Sequence, residues 1–427
     1  MVSPESEVLI VGAGCFGIST AYHLLKRGFT NITVIDRSEV LPAVDAAAND
    51  FNRIVRTAYV DDFYSKLAKE AIESWKNNAA ELWDNAYHES GVLLLGQSSA
   101  EGTYVREAYE NDVQQGLRVR KLDTDHDVAE FSKEMLGSQA TVDFRGMTGY
   151  LNHDSGWADA GRATAALTSR VKALGGKIIG GKTVKELIKR DGLTHGVKCT
   201  DGSSIHADLV VLATGSWTPS AFTSLGLEGK CLATGQCVAM IQLTEEEANA
   251  YREGPVTLNF DTGFYCFPPT EKGIIKMAFH RAGFTHTVEQ VSTPRTLTSN
   301  PNNGLSIPKE VVKDFRETLR TMYPDLAKKP FSSTRLCWYN DTPDSDWVIG
   351  RHPKDQNLIL ATGDSGHAFK VDEVIQYIPQ ETLDPKIARK FALDRSIEHG
   401  DLSRIGMAVK ELALDQLSVP EDLGATV

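Results

Sequence analysis

The chain has 427 residues, of which 41% are hydrophobic, and a formal net charge of −12. This length exceeds what one ordinary core supports, so we expect two interleaved domains. The acidic residues are spread along the chain and no basic stripe is present, which argues against nucleic acid as a partner.

Membrane and metal association are also unexpected. No run approaches the roughly 18 consecutive apolar residues of a membrane span, and the N-terminus shows no charged and then apolar leader. The six cysteines lie far apart, except for Cys231 and Cys237, whose spacing fits neither a CxxC redox motif nor a zinc cluster. We therefore expect a monomeric cytoplasmic protein with reduced thiols and no metal.

The first 36 residues predict a strand, a glycine-rich turn, a helix and a second strand. An apolar run at 7–12 is followed by helical apolar periodicity at 18–25 and by a second apolar run at 32–35 that closes on Asp36. A unit of about 30 residues with this order is typical of a βαβ module.

Gly12, Gly14 and Gly17 in this unit have GxGxxG spacing. Such glycines permit a tight turn and a close approach of backbone to a pyrophosphate at the helix N-terminus. Asp36 can accept hydrogen bonds from a ribose diol. A purely structural turn is the alternative, but the flanking elements favour a dinucleotide. The motif alone does not separate FAD from NAD.

Later segments return to the same α/β texture. Residues 157–176 predict a helix, 177–180 a strand, and 207–214 a buried strand that ends at Gly215. This last run resembles the ATG motif of flavoproteins.

The segment 361–367 places small residues and backbone amides where flavoproteins make a second cofactor contact. It contains Gly363, Gly366 and His367. A nicotinamide enzyme requires neither this segment nor the ATG-like motif, so FAD is favoured.

The sequence RLCWYNDTPD at 335–344 closely resembles a motif of the sarcosine oxidase superfamily, which includes the fungal fructosyl-amino-acid, saccharopine and pipecolate oxidases. Similar motifs lie at 88–96, 350–353 and 363–370. The resemblance implies an FAD that is covalently attached through Cys337. A cysteine considered by composition alone is more often a buried small hydrophobic residue.

Residues 273–280 alternate with period two, which puts Lys276 and His280 on one polar face and Ile275 and Met277 on a core face. The resemblance implies that Lys276 lies at the flavin and activates oxygen, where a fixed charge stabilises a developing anion. A solvent-facing lysine is the alternative. His280 is a second catalytic candidate, or a structural histidine.

Basic residues supply a predicted clamp for a substrate carboxylate. The resemblance assigns Arg56 and Lys370 to this clamp and places Arg53 closer to the flavin. A guanidinium can bind a carboxylate in a bidentate manner, and an ammonium adds a point charge. Surface ion pairs are the alternative for each basic residue taken singly.

The expected fold class is α/β, with a discontinuous Rossmann-type FAD-binding domain and an α+β substrate domain whose sheet is mainly antiparallel. A helical tail completes the chain. The predicted ranges are 1–90, 147–215 and 335–383 for the FAD-binding domain, 91–146 and 216–334 for the substrate domain, and 384–427 for the tail.

The resemblance implies an FAD-dependent oxidase of the secondary amines of amino acids, of N-alkyl amino acid, saccharopine or pipecolate type, with molecular oxygen as acceptor and hydrogen peroxide as product. Typical fructosyl-amino-acid oxidases carry a lysine and a glutamate where this chain has Arg53 and His280, so a sugar-amine substrate is the alternative. More remote alternatives are an NAD-dependent dehydrogenase and a non-catalytic flavin-binding protein.

Overall fold

The computed structural model describes residues 3–97, 104–136, 141–369, 384–397 and 408–424. The helices of these ranges are α1 (Cys15–Lys26), α2 (Asp62–Asn77), α3 (Tyr104–Gln114), α4 (Asp125–Leu136), α5 (Ala160–Ala173), α6 (Thr218–Ala221), α7 (Glu245–Tyr251), α8 (Lys309–Met322), α9 (Pro324–Ala327) and α10 (Pro385–Lys390).

The strands of the described ranges follow in chain order. They are β1 (Val8–Val11), β2 (Ile32–Ile35), β3 (Arg53–Val55), β4 (Tyr87–His88), β5 (Val92–Gln97), β6 (Val119–Leu122), β7 (Met147–Asn152), β8 (Gly156–Ala158), β9 (Lys177–Ile179), β10 (Val184–Arg190), β11 (Leu193–Cys199), β12 (Ser204–His206), β13 (Leu209–Leu212), β14 (Leu232–Gln242), β15 (Val256–Asn259), β16 (Phe264–Cys266), β17 (Ile274–Phe279), β18 (Phe284–Thr285), β19 (Thr287–Val288), β20 (Val291–Ser292), β21 (Ser333–Asp341), β22 (Val348–His352), β23 (Asp355–Thr362) and β24 (Lys410–Glu411).

A six-stranded sheet contains the N-terminal βαβ unit. Its order is β22-β23-β13-β1-β2-β9, and all neighbours are parallel except β22, which runs antiparallel to β23. The strands predicted at 7–12, 32–35, 177–180 and 207–214 all lie in this sheet. The Rossmann-type part of the predicted fold is thereby confirmed.

Both faces of this sheet are covered, which explains why its strands are continuously apolar. Val8 and Ile10 of β1 point into a core formed with α1, α2 and α5. Leu9 and Val11 point to the opposite face, which packs against the small antiparallel sheet β10-β11-β12. A glycine-rich turn at the end of β1 is therefore held between two rigid layers.

The predicted substrate domain contains a ten-stranded sheet of order β24-β18-β14-β17-β16-β15-β5-β7-β6, with β21 also paired to β14. Only the pairs β15/β5 and β18/β24 are parallel, so the mainly antiparallel character is confirmed. Helix α8 packs on this sheet, and the ring of its Phe315 stacks on Phe279 of β17 at 4.7 Å.

Two strands cross the predicted domain boundaries. Strand β21 was expected in the FAD-binding domain through the range 335–383, yet it pairs with β14 from Ser333 to Asp341. Strand β7 likewise pairs with β5 and β6. Apolar patterning does not reveal which sheet a strand joins. We propose boundaries that follow β7 and β21, so that both strands belong to the substrate domain.

The C-terminal range 384–427 was expected to be a helical tail, and its described part is only partly helical. It contains the six-residue helix α10, two short 3₁₀-helices (Leu414–Gln416 and Pro420–Leu423) and strand β24, which extends the large sheet beside β18. Phe391 and Leu417 are buried in the two main cores. The charged composition of this range gave no sign of these apolar contacts. They anchor the described tail to both sheets.

Candidate active site

A cleft opens at the carboxyl ends of β1 and β13, where the helix α1 begins. Gly12, Gly14, Asp36 and Gly215 line it, as predicted residues of one nucleotide site. The cleft is also lined by residues that the sequence did not single out, among them Cys15, Arg37, Asp45, Lys182 and Trp217.

The three glycines of the turn differ in the space that surrounds them. Gly12 has φ +106°, and a Cβ there would lie 2.3 Å from the Ala213 carbonyl oxygen. A Cβ on Gly17 would lie 1.8 Å from the Gly12 oxygen, so Gly17 permits the helix to pack on the turn. Gly14 caps α1, and a Cβ there would meet open space. A ligand can therefore approach the helix N-terminus at Gly14.

Asp36 ends β2 and turns its carboxylate back to the glycine-rich turn. Its oxygens accept the N–H groups of Ala13 and Ser38, each at 2.8 Å. A carboxylate has about four lone-pair positions, so acceptors remain for a ribose diol. Next to it, the Arg37 guanidinium lies 3.9 Å from the centre of the Trp217 ring, which forms one wall of the cleft.

Cys337 and Lys276 project from the same face of the large sheet, because they pair with Gln236 and Met240, which are four positions apart on β14. Cys337 is 2% exposed and packs with Val238 and Ala278 of the neighbouring strands. The Arg53 guanidinium donates to the Cys337 sulfur at 3.2 Å. The structure thus brings Arg53 together with Lys276 and Cys337, which both lie more than 200 positions later in the sequence.

Lys276 is 1% exposed, which excludes the solvent-facing interpretation. The face predicted to be polar is buried at Lys276, because Asp50 and Asn52 cover it. Lys276 Nζ donates to Asp50 Oδ2 at 2.9 Å and to the Asn52 carbonyl oxygen at 2.7 Å. Burial lowers the pKa of Lys276 to about 8, although the Asp50 carboxylate opposes this change.

Asp50 was missed by the sequence analysis. Its side chain is 4% exposed and forms ion pairs with both Lys276 and Arg53. Burial raises the pKa of this carboxyl, but the cations Arg53, Lys276 and Arg335 outweigh it and hold the pKa well below its usual range. The only sequence signal is an acidic residue three positions before Arg53.

Asn52 is fully buried, and neither its side-chain oxygen nor its nitrogen has a hydrogen-bond partner among the described residues. Buried polar atoms without partners are rare in folded proteins and indicate a bound polar group. Asn52 lies between Asp50 and Arg53, beside Lys276. Together with the open space at Gly14, this orphaned amide fits a dinucleotide that extends from the glycine-rich turn to the Cys337 region.

Arg56 is 8% exposed and is surrounded by aromatic rings. Its guanidinium lies 4.4 Å from the centre of the Tyr59 ring and 5.6 Å from that of Phe260, and it donates to the Tyr104 hydroxyl at 3.3 Å. No carboxylate of the described ranges forms an ion pair with it. A buried cation with this surrounding is suited to binding an anion.

The segment around Gly363 folds against β21. A Cβ on Gly363 would lie 2.8 Å from Thr342, and one on Gly366 would lie 2.3 Å from the Tyr339 ring. His367 Nε2 lies 2.9 Å from the Ser345 carbonyl oxygen, and its ring packs against Tyr64 at 4.9 Å between centres. These contacts are structural, so a cofactor role for the three residues stays a prediction.

The structure says less about the two remaining candidates, His280 and Lys370. His280 follows β17, is half-buried, and donates its backbone N–H to the Gly263 oxygen at 2.7 Å. Its catalytic role stays a prediction. Lys370, the second residue of the predicted clamp, lies outside the described residues.

Residues 7–371 match the family model for FAD dependent oxidoreductases. The chain belongs to this family. FAD is therefore its cofactor, and the alternative of an NAD-dependent dehydrogenase is excluded. The predicted relation to saccharopine, sarcosine and fructosyl-amino-acid oxidases is also confirmed, as the individual relatives show.

L-saccharopine oxidase of Schizosaccharomyces pombe is 33% identical over 406 residues, which cover 88% of this chain and 89% of that protein. Human peroxisomal sarcosine oxidase is 27% identical, with coverage of 88% and 91%. Among solved structures, the fructosyl peptide oxidase from E. terrenum superposes with a TM-score of 0.85 at 29% identity, covering 98% of both chains.

Neither a membrane-spanning helix nor a metal-binding cluster is found in the described part of this oxidoreductase. None of its helices has the length and apolar character needed to cross a bilayer. Its described side chains also contain no group of three or more histidine, cysteine, aspartate or glutamate residues arranged to hold a metal ion.

Alanine substitutions at Gly17 and Gly14 should cause different defects. Gly17→Ala should lower both the melting temperature and the FAD content, because its Cβ has no room and overpacking costs about 1–3 kcal/mol. Gly14→Ala should retain the wild-type melting temperature of the FAD-free protein and lose FAD, since its Cβ enters the cleft. Thermal unfolding and flavin absorbance measure both effects. Wild-type stability and FAD content in Gly17→Ala would contradict the geometry described here.

Proposed function

We propose that this oxidoreductase oxidises the secondary amine of a carboxylate-bearing amino acid with molecular oxygen, giving an imine that water hydrolyses and hydrogen peroxide. The observation that carries the proposal is the buried cluster of Lys276, Arg53 and Cys337, which adjoins the nucleotide cleft through Ala47. The names of the relatives, which are oxidases of amino-acid-derived amines, support the same reaction.

FAD, when bound, would supply the redox chemistry, as acceptor of a hydride equivalent from the carbon next to the amine nitrogen and as donor of two electrons to oxygen. Lys276 supplies a fixed positive charge at a buried position, where it stabilises developing negative charge far better than in water. Its orientation is fixed by Asp50 and the Asn52 carbonyl. We therefore assign oxygen activation to Lys276.

Arg56 is the proposed site for the substrate carboxylate. Its buried guanidinium retains donors that no described carboxylate uses, and a carboxylate ligand would neutralise the charge. The walls formed by Tyr59, Tyr104 and Phe260 hold the guanidinium in one place and exclude water from it. Lys370 is proposed as the second cation of this clamp.

The preferred substrates are N-alkylated or cyclic amino acids. Arg53 and His280 occupy the positions at which typical fructosyl-amino-acid oxidases carry a lysine and a glutamate, and the saccharopine oxidase is 33% identical to this chain. A fructosyl amino acid is the second candidate, because the fructosyl peptide oxidase superposes with a TM-score of 0.85.

We further propose that FAD is covalently attached through Cys337. A thiolate is the nucleophilic form of cysteine, and Arg53 places a positive charge 3.2 Å from this sulfur. Cys15 is the competing thiol, because it lines the cleft at the glycine-rich turn. Its place at the start of α1 suits contact with the pyrophosphate part of the cofactor.

Covalent attachment predicts that denatured wild-type protein retains yellow colour and a mass increase equal to FAD. Cys337→Ser should lose both, because the attaching sulfur is gone, whereas Cys15→Ser should keep both. Absorbance after acid precipitation and intact-protein mass spectrometry are the measurements. Release of all flavin from denatured wild-type protein, or its retention in Cys337→Ser, would show that the attachment site is wrong.

Loss of the Lys276 charge should separate the two half-reactions. In Lys276→Met we expect reoxidation of the reduced enzyme by oxygen to slow by about 100-fold or more, with a smaller effect on anaerobic reduction by substrate, because stabilisation of a developing anion in a dry site is worth that much. Stopped-flow absorbance measures both rates. Lys272→Met, an exposed lysine before the same strand, is the control. Equal damage to both half-reactions would instead assign Lys276 to substrate binding or folding.

A peroxide assay should rank N-methyl amino acids, L-pipecolate, L-proline and L-saccharopine above fructosyl-valine and fructosyl-lysine, because Arg53 and His280 replace the residues typical of fructosyl substrates. A preference for fructosyl amines would contradict the inference from these two residues. Absence of peroxide with every substrate, despite bound FAD, would favour a non-catalytic flavin protein.

The clamp is tested with the best substrate of that assay. Esterifying its α-carboxylate should reduce kcat/KM about tenfold or more, since a charge-assisted hydrogen bond contributes about 1.5–3 kcal/mol. Arg56→Gln should reduce activity on the acid and leave the ester rate nearly unchanged. Arg145→Gln, at an exposed arginine, is the control. Full activity on the ester would exclude the clamp.

A further inference from the structure

The Asp50 carboxylate joins three separate elements of the active site. It forms ion pairs with Arg53 at the start of β3 and with Lys276 on β17. Arg335 of β21 adds a third nearby positive charge, and its guanidinium also donates to the backbone oxygens of Ala46 and Asn49, in the segment that leads to Asp50. No part of the reaction proposed above uses Asp50 directly.

A buried charge is costly unless it is paired and hydrogen-bonded. Here a single carboxylate faces three cations, so the cluster of Asp50, Arg53, Lys276 and Arg335 carries an excess of positive charge. Removing the carboxylate leaves the three cations close together without compensation. Of the three cations, only Lys276 can respond by losing its proton, because an arginine keeps its proton under all ordinary conditions.

The hydrogen bonds around Asp50 also fix the orientation of the Lys276 and Arg53 side chains. An ammonium has three N–H donors, and Lys276 uses two of them on Asp50 Oδ2 and the Asn52 oxygen, at 2.9 and 2.7 Å. One donor therefore remains in a defined direction. Asp50 likewise holds one arm of the Arg53 guanidinium, while the other arm contacts the Ala47 oxygen at 2.6 Å and the Cys337 sulfur.

We propose that Asp50 is a positioning residue of this enzyme, which keeps Lys276 protonated and aimed, and keeps Arg53 beside Cys337. The proposal rests on the function of Lys276 proposed above and extends it, because it makes the oxygen reaction depend on a carboxylate that touches neither substrate nor oxygen.

The charge balance gives the sign of the pH effect. The groups that face the Lys276 ammonium are Asp50 and Arg53 from the loop and β3, Cys337 from β21, and the Phe267 ring at 4.9 Å. Of these, Asp50 is the principal group that favours the charged lysine, while burial and Arg53 oppose it. Without Asp50, the pKa of Lys276 falls below its present value of about 8, and the lysine loses its charge at lower pH.

The test uses the FAD-loaded enzyme and its Asp50→Asn variant. We expect the rate of reoxidation by oxygen, followed by stopped-flow absorbance from pH 6 to 9, to begin its decline at least about one pH unit earlier in D50N. Each unit by which the pKa falls lowers the protonated fraction of Lys276 about tenfold at higher pH. If the pKa of Lys276 falls from about 8 to about 7, the variant should therefore be about threefold slower at pH 7.5 and about tenfold slower at pH 9, and at pH 6 the two rates should converge.

A second readout does not depend on turnover. At pH 6, where Lys276 is protonated, the midpoint potential of the bound flavin should be higher in D50N, because a negative charge near the site has been removed. Asp355→Asn is the matched control, since Asp355 is an equally buried carboxylate that bonds Thr194 and lies in the six-stranded sheet. It should alter neither the pH profile nor the potential.

The double variant D50N/K276M tests whether Asp50 acts through the lysine. We expect D50N to add less than about twofold to the reoxidation defect of K276M, because neighbouring residues of one network are not additive. If D50N does not accumulate as FAD-loaded protein, Asp50→Glu takes its place. It keeps the charge, so its pH profile should match the wild type while its reoxidation rate falls at all pH values.

The outcomes separate this proposal from the function on which it rests. If K276M slows reoxidation and D50N leaves the rate, pH profile and potential unchanged, Asp50 has no positioning role. Additive effects in the double variant, or a D50E profile shifted to lower pH, would also overturn the proposal. If K276M itself leaves reoxidation unchanged, the proposed function of Lys276 is wrong.

Discussion

The burial of several charges at the junction of two sheets is the constraint on which the active site depends. Asp50, Arg53 and Lys276 are held in contact at a position where isolated charges would be strongly destabilising. Their mutual neutralisation is incomplete, so an excess of positive charge remains next to Cys337. Such a site favours anions, and this preference connects the fold to a reaction in which negative charge develops on the cofactor and on oxygen.

The nucleotide cleft and the Lys276–Cys337 cluster lie on different sheets. The parallel sheet presents the glycine-rich turn and Asp36 at its carboxyl edge, where such sheets bind nucleotides. The large antiparallel sheet presents Lys276 and Cys337 from one face of neighbouring strands. Because the segment 50–56 runs between them, it supplies both the carboxylate that orients Lys276 and the guanidinium of Arg56. This segment therefore links the nucleotide cleft to the proposed substrate site.

Local patterns predicted the βαβ unit correctly, and the turn at Gly12 and Asp36 lie together at its edge, because each depends on neighbours in sequence. The burial of Lys276 was predicted only through the resemblance, since period-two alternation is the same for a solvent-facing and a covered sheet face. Asp50 was missed because its partners lie 226 residues away on β17 and its own segment has no regular pattern. The pairing of strand β21 with β14 was not predicted for a similar reason, as it joins segments that lie about 100 residues apart.

The most direct test of the account is a crystal structure of the FAD-loaded enzyme with an unreactive carboxylate analogue of its substrate. We predict continuous density between Cys337 and the flavin, Lys276 Nζ within hydrogen-bond distance of Asp50, and the ligand carboxylate on Arg56. A free Cys337 sulfur together with a ligand carboxylate bound away from Arg56 would contradict it.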